Sequence, residues 1–136
     1  MKVLLVSSES AHFSNLESAI LDNEAVVARA RSGQDVILEI ADRSYDLVIA
    51  DEHLPDMTGL ELARKVVLIN PMVNIAVASS LSQEDFHEAS EGLGILMQLS
   101  PDLRDEEIGI LLRNLKGILQ ITGNTHKPPG FKTPEG

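Results

Sequence analysis

Asp51 closes a short apolar run, Leu47, Val48, Ile49 and Ala50, and is the one carboxylate among four places where such runs stop. The other stops carry hydroxyls: Ser7 and Ser8 after residues 3–6, Ser79 and Ser80 after residues 75–78, and Ser100 after residues 95–99. A carboxylate in such a place can serve as a nucleophile, or more modestly as a turn or capping residue that accepts backbone N–H groups. The same two readings apply to Ser79, a reacting hydroxyl or one that bonds nearby backbone. Ser7, Ser8 and Ser100 read as hydroxyls that satisfy local backbone groups. The chain has no cysteine, which removes thiolate nucleophiles, disulfides and cysteine-held metals. His12, His53, His87 and His126 are too dispersed to give the paired helical spacing of a zinc motif.

The elements that would carry these stops alternate. Residues 3–6 form a continuous apolar run, as expected of a parallel strand buried on both faces, and residues 25–30, 46–50, opened by Tyr45, 75–78 and 95–99 read as further strands. Between them, apolar residues recur at helical spacing. Phe13, Leu16, Ala19 and Ile20 mark a first helix with Asn23 as its breaker, and Val36, Ile37, Leu38, Ile40 and Ala41 a second. Residues 59–69 form a third, ended by Asn70 and Pro71, and Ser82 with Glu84 and Asp85 opens a fourth. A fifth starts at Asp102, with a stripe of Ile108, Leu111, Leu112, Leu115, Ile118, Leu119 and Ile121. That stripe is longer than one sheet face needs, so its far end suits a dimer contact or a coiled-coil linker. The expected fold is α/β, a flavodoxin-like doubly wound sheet of five parallel strands with five helices, (βα)5. In such a sheet, chemistry gathers at the carboxyl ends of the strands, where the four stops lie.

Bulk properties agree. A chain of 136 residues is about one domain, and 43% hydrophobic with 3% aromatic residues implies a core of Val, Ile, Leu and Ala. The net charge of −10 argues against direct nucleic acid binding and favours a basic partner or a cation. No run approaches the ~18 apolar residues of a membrane span, and the N-terminus lacks the length of a signal peptide, so a cytoplasmic protein with no membrane association is expected. Residues 1–122 are expected to form the domain and residues 123–136, rich in Gly and Pro, a flexible tail or a linker to a further domain. The acidic residues Asp42, Asp46, Glu52, Asp56 and Glu61 read most simply as a solvated surface, some of which rims the Asp51 pocket.

Asp51 is followed by Pro55 four residues on and by Gly59 eight on, then Leu60, Glu61 and Leu62. This segment resembles the phosphorylation segment of response-regulator receiver domains of two-component systems. Ser79 at the end of the fourth strand and Pro101 after the fifth match further landmarks, and the resemblance runs from residue 2 to about 120. It implies transfer of a phosphoryl group from a phosphohistidine or a small acyl phosphate to the Asp51 carboxylate, with Ser79 as the switch hydroxyl. It also implies Mg2+ held by Asp51, the His53 backbone carbonyl and acidic residues after the first strand, and a Lys beside the phosphate. The implied partners are a histidine kinase or phosphotransfer protein and a downstream output protein or domain, with a possible homodimer through the fourth helix, fifth strand and fifth helix. A receiver acts on itself, so the chain is not expected to be an enzyme in the ordinary sense.

The sequence departs from this pattern at both supports. Ser7 and Ser8 stand in place of the acidic pair, and Ser100 in place of the Lys. Met97 takes the place of an aromatic switch residue on the fifth strand. A unit charge pair at ~4 Å is worth about 4 kcal/mol at an effective dielectric near 20, so Mg2+ is expected to bind weakly, through Asp51, the His53 carbonyl and Ser8. Phosphorylation is therefore expected to be weakened or absent. Three functions stand side by side: a working phosphoacceptor, a phosphorylation-independent pseudo-receiver that binds proteins, and an unrelated flavodoxin-like binder. The last would use Ser7, Ser8, Glu9 and Ser10 as a phosphate cradle.

Overall fold

The computed structural model describes residues 1–9, 13–22, 25–102 and 104–125, with residues 118–125 described as helix backbone only. The element order is β1 (Lys2–Val6), α1 (Ser14–Leu21), β2 (Val26–Ala30), α2 (Gly33–Asp42), β3 (Leu47–Ala50), α3 (Gly59–Ile69), β4 (Asn74–Ala78), α4 (Gln83–Ala89), β5 (Met97–Leu99) and α5 (Asp105–Thr125). The strands form one parallel sheet in the order β2-β1-β3-β4-β5, the doubly wound (βα)5 topology that the sequence implies. The chain divides into two compact units, residues 1–105 and 106–136.

In the first unit, β3 lies between β1 and β4, with Ala50 level with Val6 on one side and Val77 on the other. All four of its residues are buried, so a branched apolar run is what the position demands. Strand alternation sends Leu4, Val6, Val48, Ala50, Ile75 and Val77 to one face, where they join Val36 and Ile40 of α2, Leu62, Ala63 and Val66 of α3, and Phe86 of α4. Their alternates Val3, Leu5, Leu47, Ile49 and Ala76 are equally buried, as are Phe13 and the α1 residues Leu16 and Ile20. In the second unit, Ile108, Leu111, Leu112 and Leu115 of α5 are buried. The side chains of Ile118, Leu119 and Ile121, Asn23 at the expected end of α1, and residues 126–136 of the expected tail lie outside the described residues.

Several boundaries differ from expectation: β2 and β4 each shift by one residue at their start, and α5 begins at Asp105 rather than Asp102. Tyr45 and Asp46 precede β3 rather than opening it: the Tyr45 hydroxyl donates to Glu39 at 2.8 Å, and Asp46 accepts the Lys2 N–H at 2.8 Å. Burial first, and then the Glu39 carboxylate, push the Tyr45 phenol up to about 12. β5 begins at Met97 instead of residue 95, because Gly94, at φ 65°, turns the chain just before it. α5 continues through Gly123 to Thr125, three residues beyond the expected boundary.

Helix α3 is fixed at its start by a capping box, in which the Thr58 hydroxyl accepts the Glu61 N–H at 3.1 Å and the Glu61 carboxylate accepts the Thr58 N–H at 2.9 Å. Thr58→Ala removes one half of this exchange. Urea denaturation is expected to show a loss of about 1 kcal/mol, within the usual range for a lost N-cap.

Candidate functional site

Asp51 sits where β3 leaves the sheet. Its N–H donates to the Val6 carbonyl at 2.9 Å, so the end of β1 anchors its backbone. Gly59 anchors it from the other direction: its N–H bonds the Glu52 carbonyl at 3.0 Å, and a Cβ at this position would lie 2.5 Å from the Asp51 carbonyl oxygen. Glycine eight residues after Asp51 is therefore required by close packing against fixed backbone. Between them the chain turns through Pro55 and closes with Leu54 N–H on the Met57 carbonyl at 2.9 Å. Asp56 ties this turn to α2, accepting the Gly33 and Gln34 N–H groups at 2.9 and 3.0 Å. Those two bonds at a helix N-terminus, Gly33 foremost, hold its carboxyl below the usual range.

Asp51 is partly buried, and both of its carboxylate oxygens accept hydrogen bonds. One takes the Ser7 hydroxyl at 3.0 Å, and the other the Glu52 N–H at 2.9 Å. Ser7 is buried and accepts the Glu9 N–H at 3.0 Å, and the Glu9 carbonyl, 3.1 Å from its hydroxyl, competes with Asp51 for its single proton. Ser8, Glu9, Asp51, Glu52, His53 and Pro101 line a cavity of about 340 Å³ at this end of the sheet. A hollow of about 400 Å³ beside β2 and α2 is larger, but it is lined by charges of both signs and includes none of the four stops.

The structure thus brings Asp51, Ser7, Ser8 and the His53 segment together. Ser79 and Ser80 continue β4, next to β3, and the Ser79 N–H bonds the Leu99 carbonyl at 2.9 Å. Ser79 is buried, and its hydroxyl oxygen accepts the Leu81 N–H at 3.2 Å. The Ser100 hydroxyl engages Asp102 and is the leading cause that holds the Asp102 carboxyl below the usual range. Met97 begins β5 level with Ala76 and is partly buried.

A tight Mg2+ site does not fit these donors. Asp51 offers the carboxylate and already accepts two hydrogen bonds, while Ser8 and the His53 carbonyl add no charge. Among the described residues no group of three or more His, Cys, Asp or Glu side chains is arranged to hold a metal. Hard divalent cations of this kind are normally held by carboxylates.

Glu52 is a site residue that sequence alone does not single out. Burial would raise its carboxyl, but hydrogen bonds from the Ser80 N–H and hydroxyl, the nearby His53 and the Ser79 hydroxyl together hold it below the usual range. Of the expected solvated acidic face, Asp42, Asp56 and Glu61 are exposed and Asp46 and Glu52 half-buried, and Asp46, Glu52, Asp56 and Glu61 each also accept backbone N–H groups. Only the Thr-x-x-Glu spacing of residues 58–61 could have signalled one of these from sequence.

Comparison with known proteins places these features. Residues 3–112 match the family model described as the response regulator receiver domain. The chain is 25% identical over 80 residues to the transcriptional regulatory protein ZraR of Salmonella typhimurium, covering 59% of this chain and 18% of that protein. It is 32% identical over 78 residues to a protein-glutamate methylesterase/protein-glutamine glutaminase of Oceanobacillus iheyensis, covering 55% of this chain and 22% of that protein. The chain thus spans about a fifth of these curated relatives. The signal receiver domain of an HD domain-containing protein from Pseudomonas fluorescens superposes with a TM-score of 0.76 at 23% identity, over 89% of this chain and 90% of that one. Among the described residues no helix is long and apolar enough to cross a membrane.

The Asp56 contacts carry a pH signature. Its carboxyl is depressed in the folded chain, so its contribution is present above the unfolded value of about 3.9 and is lost as pH falls below it. Asp56→Asn is expected to lower the urea midpoint at pH 7, and the gap from the parent protein should close under acid conditions.

Proposed function

Because the chain belongs to the response-regulator receiver domain family, matched over residues 3–112, we propose that it acts as an atypical receiver in phosphorelay signalling, with phosphorylation at Asp51 weakened or absent. The observation that carries this reading is the engagement of Asp51 itself. One of its oxygens accepts the Ser7 hydroxyl and the other the Glu52 N–H, both neutral donors. Phosphoryl transfer depends on positioning and on stabilising charge as it develops. Here positioning is intact, since Val6 and Gly59 fix the Asp51 backbone. The charged supports are what is missing.

In this reading Asp51 is the phosphoacceptor position and Ser79 the switch hydroxyl, with Mg2+ bound weakly at most through Asp51, the His53 carbonyl and Ser8. The chemistry is confined to the chain's own Asp51, so the protein is not an enzyme in the ordinary sense. Its partners would be a histidine kinase or phosphotransfer protein on one side and an output protein or domain on the other. Homodimerisation would use α4, β5 and α5. Residues 1–122 would form the receiver and residues 123–136 a tail or linker. A second reading, a pseudo-receiver that binds its partner without any phosphate, is favoured by the hydrogen bonds that Glu52 makes to Ser80.

Incubation with acetyl phosphate, with and without Mg2+ and with Asp51→Ala as control, separates these cases by intact mass. The expected result is at most a small metal-dependent fraction carrying one phosphoryl group. Stoichiometric, metal-dependent phosphorylation that disappears in Asp51→Ala would overturn the proposal.

A further inference from the structure

The segment joining β4 to α4, residues 79–82, is held from both sides. From the β3 side, one carboxylate oxygen of Glu52 accepts the Ser80 N–H at 2.7 Å and the Ser80 hydroxyl at 2.8 Å. From the β5 side, the Gln98 side-chain amide donates to the Ser79 carbonyl at 3.3 Å and the Leu81 carbonyl at 2.8 Å. The backbone donors of Ser79 and Leu81 are also placed: Ser79 N–H on the Leu99 carbonyl at 2.9 Å and Leu81 N–H on the Ser79 hydroxyl at 3.2 Å. The segment ends at Ser82, whose hydroxyl accepts the Asp85 N–H at 3.1 Å and starts α4.

We propose that Glu52 and Gln98 form a clamp that fixes the β4–α4 segment in one arrangement, with the Glu52 carboxylate as a resident anion at the end of β4. This clamp goes beyond the reading of Asp51 as a weakened phosphoacceptor. A loop moves readily when its polar groups bond water and can exchange partners at little cost. Here each backbone N–H of residues 79–81 already has a partner within the protein, and the one on Ser80 is the charged Glu52 carboxylate. Hydrogen bonds to an ionised group are stronger than those between neutral groups.

The clamp has a consequence for the site. Glu52 follows Asp51 directly, and Ala50 is level with Val77, so the Ser80 donors that Glu52 occupies lie just past the end of β4, the strand beside β3. An incoming anion would have to displace a carboxylate that is tethered next to it and repels it. The start of α4 is thereby uncoupled from the chemical state of Asp51, and the surface that α4 presents is the same with or without modification. A constant surface suits a partner that binds the unmodified chain.

Amide hydrogen exchange of the full chain, followed residue by residue, tests this. Glu52→Ala is expected to speed exchange at the Ser80 N–H by about ten- to a hundredfold, the range for losing a hydrogen bond to a charged group. Gln98→Ala should speed exchange at Ser80 and Leu81 by a smaller factor. Exchange at Val48 should stay unchanged in both variants, showing that the sheet is intact. If Ser80 exchanges in Glu52→Ala at the rate of the parent protein, the clamp does not exist. The readout is independent of whether Asp51 accepts phosphate, so its failure leaves the reading of Asp51 standing, and a failed phosphorylation assay leaves the clamp standing.

Discussion

The central strand β3 is paired on both edges and buried on both faces, and the geometry of the site follows from that constraint. A strand in this position has no freedom to shift, because a slip of one residue would exchange every side chain between the two faces of the sheet. Its last residue, Ala50, stands level with Val6 and Val77, so the following Asp51 emerges between the ends of β1 and β4. Gly59 then brings the start of α3 against the Asp51 carbonyl, closer than any side chain would allow. Placement of the carboxylate is a product of the core, and it survives changes in the polar residues around it.

Those polar residues are organised around neutrality. A lone carboxylate or ammonium group that has lost its partners in a partly buried site is costly, and replacing it with a hydroxyl removes the cost. Ser7 donates to Asp51, and Ser100 to Asp102, so each hydroxyl has taken on a local partner. Glu52, on the same cavity lining as Glu9 and Asp51, accepts the Ser80 N–H and hydroxyl. The fold of a receiver is kept, while Ser7 and Ser8 stand in place of the acidic pair and Ser100 in place of the Lys.

Much of the fold was legible in the sequence because buried parallel strands and amphipathic helices leave strong periodic signals. Helix α3 was found at both ends, since Asn70 and Pro71 stop it and Gly59 starts it. The Asp51 position was legible for the same reason, from an apolar run and the spacing of Pro55 and Gly59. β5 was read too long because the apolar residues Ile95 and Leu96 resemble strand residues, whereas the positive φ of Gly94 that delays the strand has no periodic signature. Glu52 and Gln98 were illegible as functional residues. Their roles depend on meeting Ser80 and the Ser79 and Leu81 carbonyls across the sheet, and nothing local marks such a meeting.

We propose that the hydroxyls after β1 leave Asp51 short of the negative charge that a divalent cation needs. The most direct test of this is a Mg2+ titration of the parent protein and of Ser8→Asp, followed by NMR shifts at Asp51 and His53. Restoring one carboxylate is expected to tighten Mg2+ binding by about tenfold or more, as when a charge pair is regained near a partly buried site. Equal, tight binding by both proteins would contradict it.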